Sequence, residues 1–432
     1  MTKEQNKNYT FLPIIMMILL FGMISFVTNL AAPMGIVLKA QFGVSNFAGL
    51  LGNAGNFIAY AVMGIPAGIL LQKIGYKKTA LLAIAVGFVG VGIQYLSGYA
   101  GQGSAFAIYL SGAFVAGFSM CLLNTVVNPM LNTLGGGGNK GNVLLQVGGS
   151  FNSFMATLTP MIVGILIGDA AKSSITNIFP FMYAAMAVFA IVFVVLYSVR
   201  IPEPHAAQSA EPLGRLISGA LKFRHFILGA VGIFVYVGVE VGTPGILNYL
   251  LVDPNLPNPL NPITAGFVAG TYWLLMLIGR LVGASVGAKV SSKTMLSATA
   301  SVGLILVLLA IVLPIATEVS LPVLKSINGD ISFGLLNVPI NAALLVLVGL
   351  CTSIMWGGIF NLAVEGLGKY TAAASGIFMV LVCGGGILPA LQGWIADIAG
   401  YLTSYWVIVA GLAYLLYYAL IGSKNVNKDI QV

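Results

Sequence analysis

The stretch FLPIIMMILLFGMISF, Phe11–Phe26, contains no ionisable side chain, and TALLAIAVGFVGVGI, Thr79–Ile93, repeats the pattern. A membrane-crossing helix needs about 20 mostly apolar residues. A membrane β-barrel would instead show alternating segments of about ten residues. Runs as long and uniform as these therefore read as helices. The composition of the whole chain agrees: 59% of its 432 residues are hydrophobic and 7% are charged, with a mean hydropathy of +1.00. Soluble domains carry about 25% charged residues, so 19 Lys and Arg with 11 Asp and Glu cannot coat a soluble protein of this size. A soluble enzyme is excluded, and so is a disordered chain, which requires low hydrophobicity. The class is an all-α polytopic membrane protein.

Working outward, the apolar runs predict twelve spans: 11–38, 47–72, 79–97, 104–133, 141–168, 178–199, 225–252, 263–288, 294–315, 336–363, 372–398 and 402–421. Both termini are expected in the cytoplasm. That orientation places every Lys and Arg on the inner side except Lys39, Lys172 and Lys325 outside and Arg280 within span 8, the bias of the positive-inside rule. Slipping one span would destroy the alternation, and treating the first run as a cleaved leader would invert every later loop. The net charge of +8 follows from this bias and does not indicate nucleic acid. Cys121, Cys351 and Cys383 lie in apolar runs without metal-ligand spacing and read as small buried residues. Gly135–Gly138 with Asn139, Lys140 and Gly141 lacks the GxxxxGK[ST] spacing of a nucleotide loop, so an ATP-driven pump within this chain is excluded.

One polar break divides the chain. Residues 200–224, RIPEPHAAQSAEPLGRLISGALKFR, read as a cytoplasmic linker between six-helix halves at 1–199 and 225–432. The halves carry matching signatures: GILLQKIGYKK (Gly68–Lys78) between spans 2 and 3, and Gly279-Arg280-Leu-Val-Gly283 running on to Lys289 and Lys293 between spans 8 and 9. Glycines let helices pack closely, and the cations hold the turn in water or against lipid headgroups. Lys73 and Lys77 are read as conformational residues of this hinge. Two related six-helix halves are the major facilitator architecture.

The residues also resemble a narrower family. CLLNTVVNPMLNTLG (Cys121–Gly135), GGSFNSF (Gly148–Phe154), FVYVGVEVG (Phe234–Gly242), IFNLAVEGLGKYTAAASG (Ile359–Gly376) and CGGGILPALQGWIAD (Cys383–Asp397) are similar to the fucose permease and glucose/galactose permease group. The resemblance spans both halves and implies a sugar substrate. Three positions depart from it: the family pattern has acids at Asn29 and Asn124 and a glutamine at Gly149, whereas Asn152 matches. The acids are associated with proton coupling and sugar binding in the family, which puts its usual proton route in doubt.

An ionisable group at mid-membrane is a functional hypothesis by default. Sorting the acids leaves only Glu240 deep in the bilayer, in VGVEVGTPGILNYL of span 7. Pro244 cannot complete the helical ladder, so span 7 is expected to break just beyond Glu240 and expose carbonyls. Glu240 would couple transport to a cation, either as a proton acceptor or as a sodium ligand helped by Thr243, with a slight lean to sodium; a purely structural carboxylate is the alternative. Arg280 and Glu365 are read as a gate-side pair, or Arg280 as snorkelling to the interface. His205 and His225, in or beside the linker, are poor candidates for proton carriers.

Amides match sugar hydroxyls because each offers donors and acceptors. Asn29, Asn56, Asn124, Gln146, Asn152, Asn248 and Asn361 are candidates, with Trp273 and Trp356 for stacking and Phe151, Tyr60 and Tyr249 behind them; Asn53 and Asn128 also fall within spans. Each could equally be an interhelical contact. The expected function is a secondary transporter, importing a hexose or related monosaccharide by alternating access with sodium or a proton. An uncoupled facilitator, a drug or metabolite exporter and a sugar-binding receptor stay open. No cofactor beyond the coupling ion is expected, and the chain is expected to act as a monomer among the lipids of a bacterial cytoplasmic membrane.

Overall fold

In hydrocarbon no water is available to satisfy a free N–H or C=O, so each apolar run closes its own ladder as a helix. The computed structural model describes residues 3–135, 138–167, 173–201, 213–286, 290–327 and 330–426. Among them are twelve helices long and apolar enough to cross a membrane. The first six spans are Phe11–Phe42, Leu51–Leu71, Lys73–Ser97, Gly103–Leu131, Val147–Ile167 and Ile175–Ser198. The second six are Arg224–Leu251, Pro262–Gly283, Ser292–Val312, Ile340–Val364, Gly376–Ala399 and Tyr401–Gly422. An even number of crossings puts the start of the first span and the end of the last at one end of the bundle, here the terminal end; the other is the distal end. Residues 202–212 of the linker lie outside the described residues, and the part that follows forms the short helix Leu213–Ala220.

Spans 2 and 3 run into one another. Helix continues from Leu51 to Ser97 across a single kink at Gly75, with φ 81° and ψ 174°, a conformation open to glycine because it has no Cβ. The expected hinge is thus one residue long.

Span 5 packs along span 8, and span 11 lies between spans 2 and 7. Both seams join the first six spans to the second six. Small residues allow the approach: a Cβ on Gly266 would press on the Pro160 carbonyl oxygen, and one on Gly386 would stand 2.8 Å from that of Ala54; within the second six, a Cβ on Gly384 would meet the Phe234 carbonyl oxygen at 1.9 Å.

Two expectations change. Helix Arg224–Leu251 runs unbroken through Pro244; one missing donor is tolerated where the neighbours are packed this closely. The breaks lie instead in span 10, between Ile340–Thr352 and Met355–Val364, and in span 11, between Thr371–Leu381 and Gly384–Ala399. The connection between spans 9 and 10, expected as a plain outer loop, is a hairpin. Strands β1 (Glu318–Ile327) and β2 (Asp330–Pro339) pair antiparallel with Val323 opposite Gly334. Leu321, Val323 and Val338 are buried, giving the alternation expected of a half-covered strand.

Candidate functional site

A small central cavity lies between the two sets of spans. Its lining includes Thr28 and Asn29 of span 1, Asn53 of span 2 and Pro160 of span 5. Span 7 contributes Val241, Pro244, Gly245 and Asn248, and span 8 contributes Trp273. The cavity volume is about 20 Å³, room for about one water molecule and not for a hexose. The two sets of spans must separate to admit anything larger.

The polar atoms around it are only partly satisfied. Asn53 donates from Nδ2 to the Gly385 carbonyl at 2.8 Å, just beyond the break in span 11, while its Oδ1 and that of Asn248 are buried without a partner. A buried unpaired acceptor costs about 1–3 kcal/mol, so these oxygens are sites where an incoming hydroxyl would be favoured. Asn29 donates to the Ser25 carbonyl at 2.9 Å and to its hydroxyl at 3.1 Å. Trp273 is buried and packs edge-on against Tyr272.

Glu240 stands one turn before Pro244. Its Oε1 is 3.6 Å from Nη2 of Arg280, with both side chains 15% exposed. Nη1 of the same guanidinium donates to the Gly149 carbonyl of span 5 at 2.7 Å. Arg280 therefore holds the carboxylate of one half and a backbone oxygen of the other. A Cβ on Gly149 would lie 3.2 Å from that Nη1, so a side chain longer than alanine there would compete with the guanidinium for the space. The buried Tyr236 hydroxyl lies beside Glu240, and its ring meets Trp356 at 6.1 Å.

This corrects the expected Arg280–Glu365 pair. Glu365 has an exposed side chain, and it is its backbone carbonyl that contacts His225 Nε2, at 2.9 Å. Among the described residues, the acid that Arg280 faces is the largely covered Glu240. Thr243 does not present a ligand to Glu240: its hydroxyl donates to the Val239 carbonyl at 2.7 Å, and its carbonyl accepts from Tyr405 at 2.8 Å.

Several amides serve helix packing. Asn124 donates to the Tyr60 hydroxyl at 2.7 Å and Asn152 to the Phe21 carbonyl at 2.8 Å, each within the first six spans. Asn56 is buried outside the cavity lining, and Asn361 is exposed. The Gln146 side chain lies outside the described residues. Lys73 is exposed, whereas Lys77 donates to the Tyr197 carbonyl at 2.8 Å, tying the turn between spans 2 and 3 to the end of span 6.

The distal end is sealed by residues that sequence reasoning placed in loops or at span ends. Asp397 accepts from the backbone N–H groups of Asn46 and Phe47 at 2.9 and 3.0 Å. Lys39 donates to Asn46 Oδ1 and to the Tyr401 hydroxyl, and lies 5.1 Å from the centre of the Tyr249 ring. The two partners of Asp397 lie 351 and 350 residues away in sequence, a separation that no local pattern reveals.

Comparison with known proteins places this geometry. The model of the Major Facilitator Superfamily matches residues 14–388. A glucose/galactose transporter of Brucella abortus is 30% identical over 430 residues, covering 98% of this chain and 96% of that one. The L-fucose-proton symporter of Escherichia coli is 23% identical over 436 residues, covering 94% and 91%. A crystal structure of the E. coli fucose:proton symporter superposes with a TM-score of 0.69 at 20% identity, covering 96% of this chain and all of that one (100%). At that identity the superposition shows the fold. The family model spans most of the sequence, and the chain, a multi-pass transporter and not an enzyme, belongs to the Major Facilitator Superfamily.

Proposed function

We propose that the chain imports a monosaccharide, a hexose or a close relative, in symport with a proton. It would do so by rocking its two halves about the central cavity in a bacterial cytoplasmic membrane, with both termini inside and as a monomer. The relatives support a sugar, since they are named as glucose/galactose and L-fucose transporters. The unpartnered Asn53 and Asn248 oxygens and the Trp273 ring supply acceptors and an apolar face of the kind a pyranose uses.

The observation that carries the coupling is the Arg280 bridge between Glu240 and the Gly149 carbonyl. Alternating access with coupling requires ligands that bind one state better than another. Protonating Glu240 removes the attraction that positions Arg280 and so weakens a contact across the seam. Sodium would need several hard oxygens around an anion, and here a guanidinium already faces that anion while Thr243 is engaged elsewhere. These facts favour a proton over the sodium to which the sequence leaned.

The test is radiolabelled glucose, galactose and fucose uptake into proteoliposomes under imposed proton or sodium gradients. The expected result is accumulation driven by the proton gradient, reduced to equilibration in Glu240→Gln with exchange retained. Accumulation by Glu240→Gln equal to that of the parent would overturn the coupling assignment. Accumulation driven by sodium alone would return the ion to sodium, and uptake of none of the sugars would remove the sugar reading.

A further inference from the structure

We infer that the groove between the start of span 1 and the end of span 6 is a binding site for one anionic phospholipid. The groove has a cavity volume of about 590 Å³ and is lined by Leu12, Pro13, Val194, Val195, Ser198, Val199 and Arg200. It lies at the terminal end of the bundle, apart from the central cavity and the distal seal.

Its chemistry is split along its length. Val194 and Val195 are 64% and 40% exposed and Leu12 is 45% exposed, so an apolar wall faces the hydrocarbon. Two residues beyond the last turn of span 6 stands Arg200, exposed and making no ion pair with a described residue. Tyr197, one turn earlier, is 69% exposed. Lys77 donates to its carbonyl at 2.8 Å and stands 5.9 Å from its ring centre, outside the lining of the groove. An apolar trough ending in a guanidinium matches an acyl chain that ends in a phosphodiester. Guanidinium binds phosphate through paired N–H donors, and basic pockets between spanning helices bind anionic headgroups.

A zwitterionic lipid supplies the chain without the net charge, and inorganic phosphate supplies the charge without the chain. Neither fills both parts of the groove. The occupant is therefore a lipid such as phosphatidylglycerol. The site does not depend on which solute the protein moves.

The experiment uses the full chain in phosphatidylcholine nanodiscs. Phosphatidylglycerol is titrated in, bound lipid is counted by native mass spectrometry, and the apparent melting temperature is followed. Saturable binding of phosphatidylglycerol with a rise in melting temperature is expected, with no such effect of phosphatidylcholine or inorganic phosphate. Arg200→Gln should weaken the binding about fivefold, the worth of one cation at an anionic surface. Val195→Trp, which fills the trough and keeps the cation, should abolish the saturable component. Equal effects of the two lipids, an equal effect of inorganic phosphate, or full binding by both variants would each overturn the assignment.

Discussion

The pairing of Glu240 with Arg280 makes a prediction whose size follows from the geometry. At an effective dielectric near 20, two unit charges 3.6 Å apart attract by roughly 4–5 kcal/mol. Desolvation of both groups, each 15% exposed, offsets most of that, leaving a coupling of about 1–3 kcal/mol. The single substitutions are not equivalent. Arg280→Gln leaves a buried carboxylate without its countercharge and should destabilise the protein by about 3–5 kcal/mol. Glu240→Gln leaves a guanidinium that still donates to the Gly149 carbonyl, so it should cost less, about 1–3 kcal/mol. The double variant removes both charges and should recover about 1–3 kcal/mol relative to the sum of the singles. Denaturant titration of the four proteins in nanodiscs, followed by tryptophan fluorescence, measures the cycle. A double variant that loses the full sum of the singles would show that the two groups do not couple, and the bridge would lose its role.

Three further outcomes follow from single contacts. Gly149→Gln should displace the Arg280 guanidinium, because its side chain extends past a Cβ that already stands 3.2 Å from Nη1; losing that charge-assisted bond is worth about 1.5–3 kcal/mol, and uptake should fall at least tenfold by ~1.4 kcal/mol per decade, while Gly149→Ala, whose Cβ asks the guanidinium to give by only a few tenths of an ångström, stays close to the parent. Gly384→Ala should sharply lower the yield of folded protein in size-exclusion chromatography, since its Cβ would meet the Phe234 carbonyl oxygen at 1.9 Å and backbone cannot step aside; normal yield would contradict the packing. Asp397→Asn keeps one acceptor oxygen and loses one of the two bonds to Asn46 and Phe47, so a cysteine placed at Gly245 should react faster with a membrane-impermeant maleimide from the distal side, and an unchanged rate would refute the seal.

The twelve spans were legible because hydropathy is a one-dimensional signal and each helix closes its own hydrogen bonds. What sequence could not give was rotation about each helix axis. Glu240 was singled out because it is the one acid left at mid-membrane, but its partner depends on which way span 8 turns Arg280, and the choice of Glu365 followed nearness to one end of the bundle. Pro244 suggested a break by local chemistry alone, yet Thr243 and Tyr405 pack that turn and the helix continues. The breaks in spans 10 and 11 fall at Ser353–Ile354 and Val382–Cys383, where no proline marks them. Amides were overcounted for a similar reason: Asn124 and Asn152 look like Asn53 and Asn248 in sequence, and only their neighbours show that the first two have partners within their own half.

The departures from the family pattern acquire a common physical sense in the structure. The resemblance implies acids at 29 and 124 and a glutamine at 149. Here Asn29 and Asn124 are neutral and bonded locally, to Ser25 and to Tyr60. A glutamine at 149 would occupy the space from which Arg280 reaches the backbone of span 5. With glycine there, the guanidinium crosses the seam, and Glu240 in turn has a countercharge that makes its burial tolerable. Asn29 and Asn124 of the first six spans thus carry no charge, while a charged pair stands at the boundary between the two sets. On the proposed mechanism neutralising Glu240 acts, through Arg280, on the bond to the Gly149 carbonyl, a contact across the seam that must itself break for the halves to move.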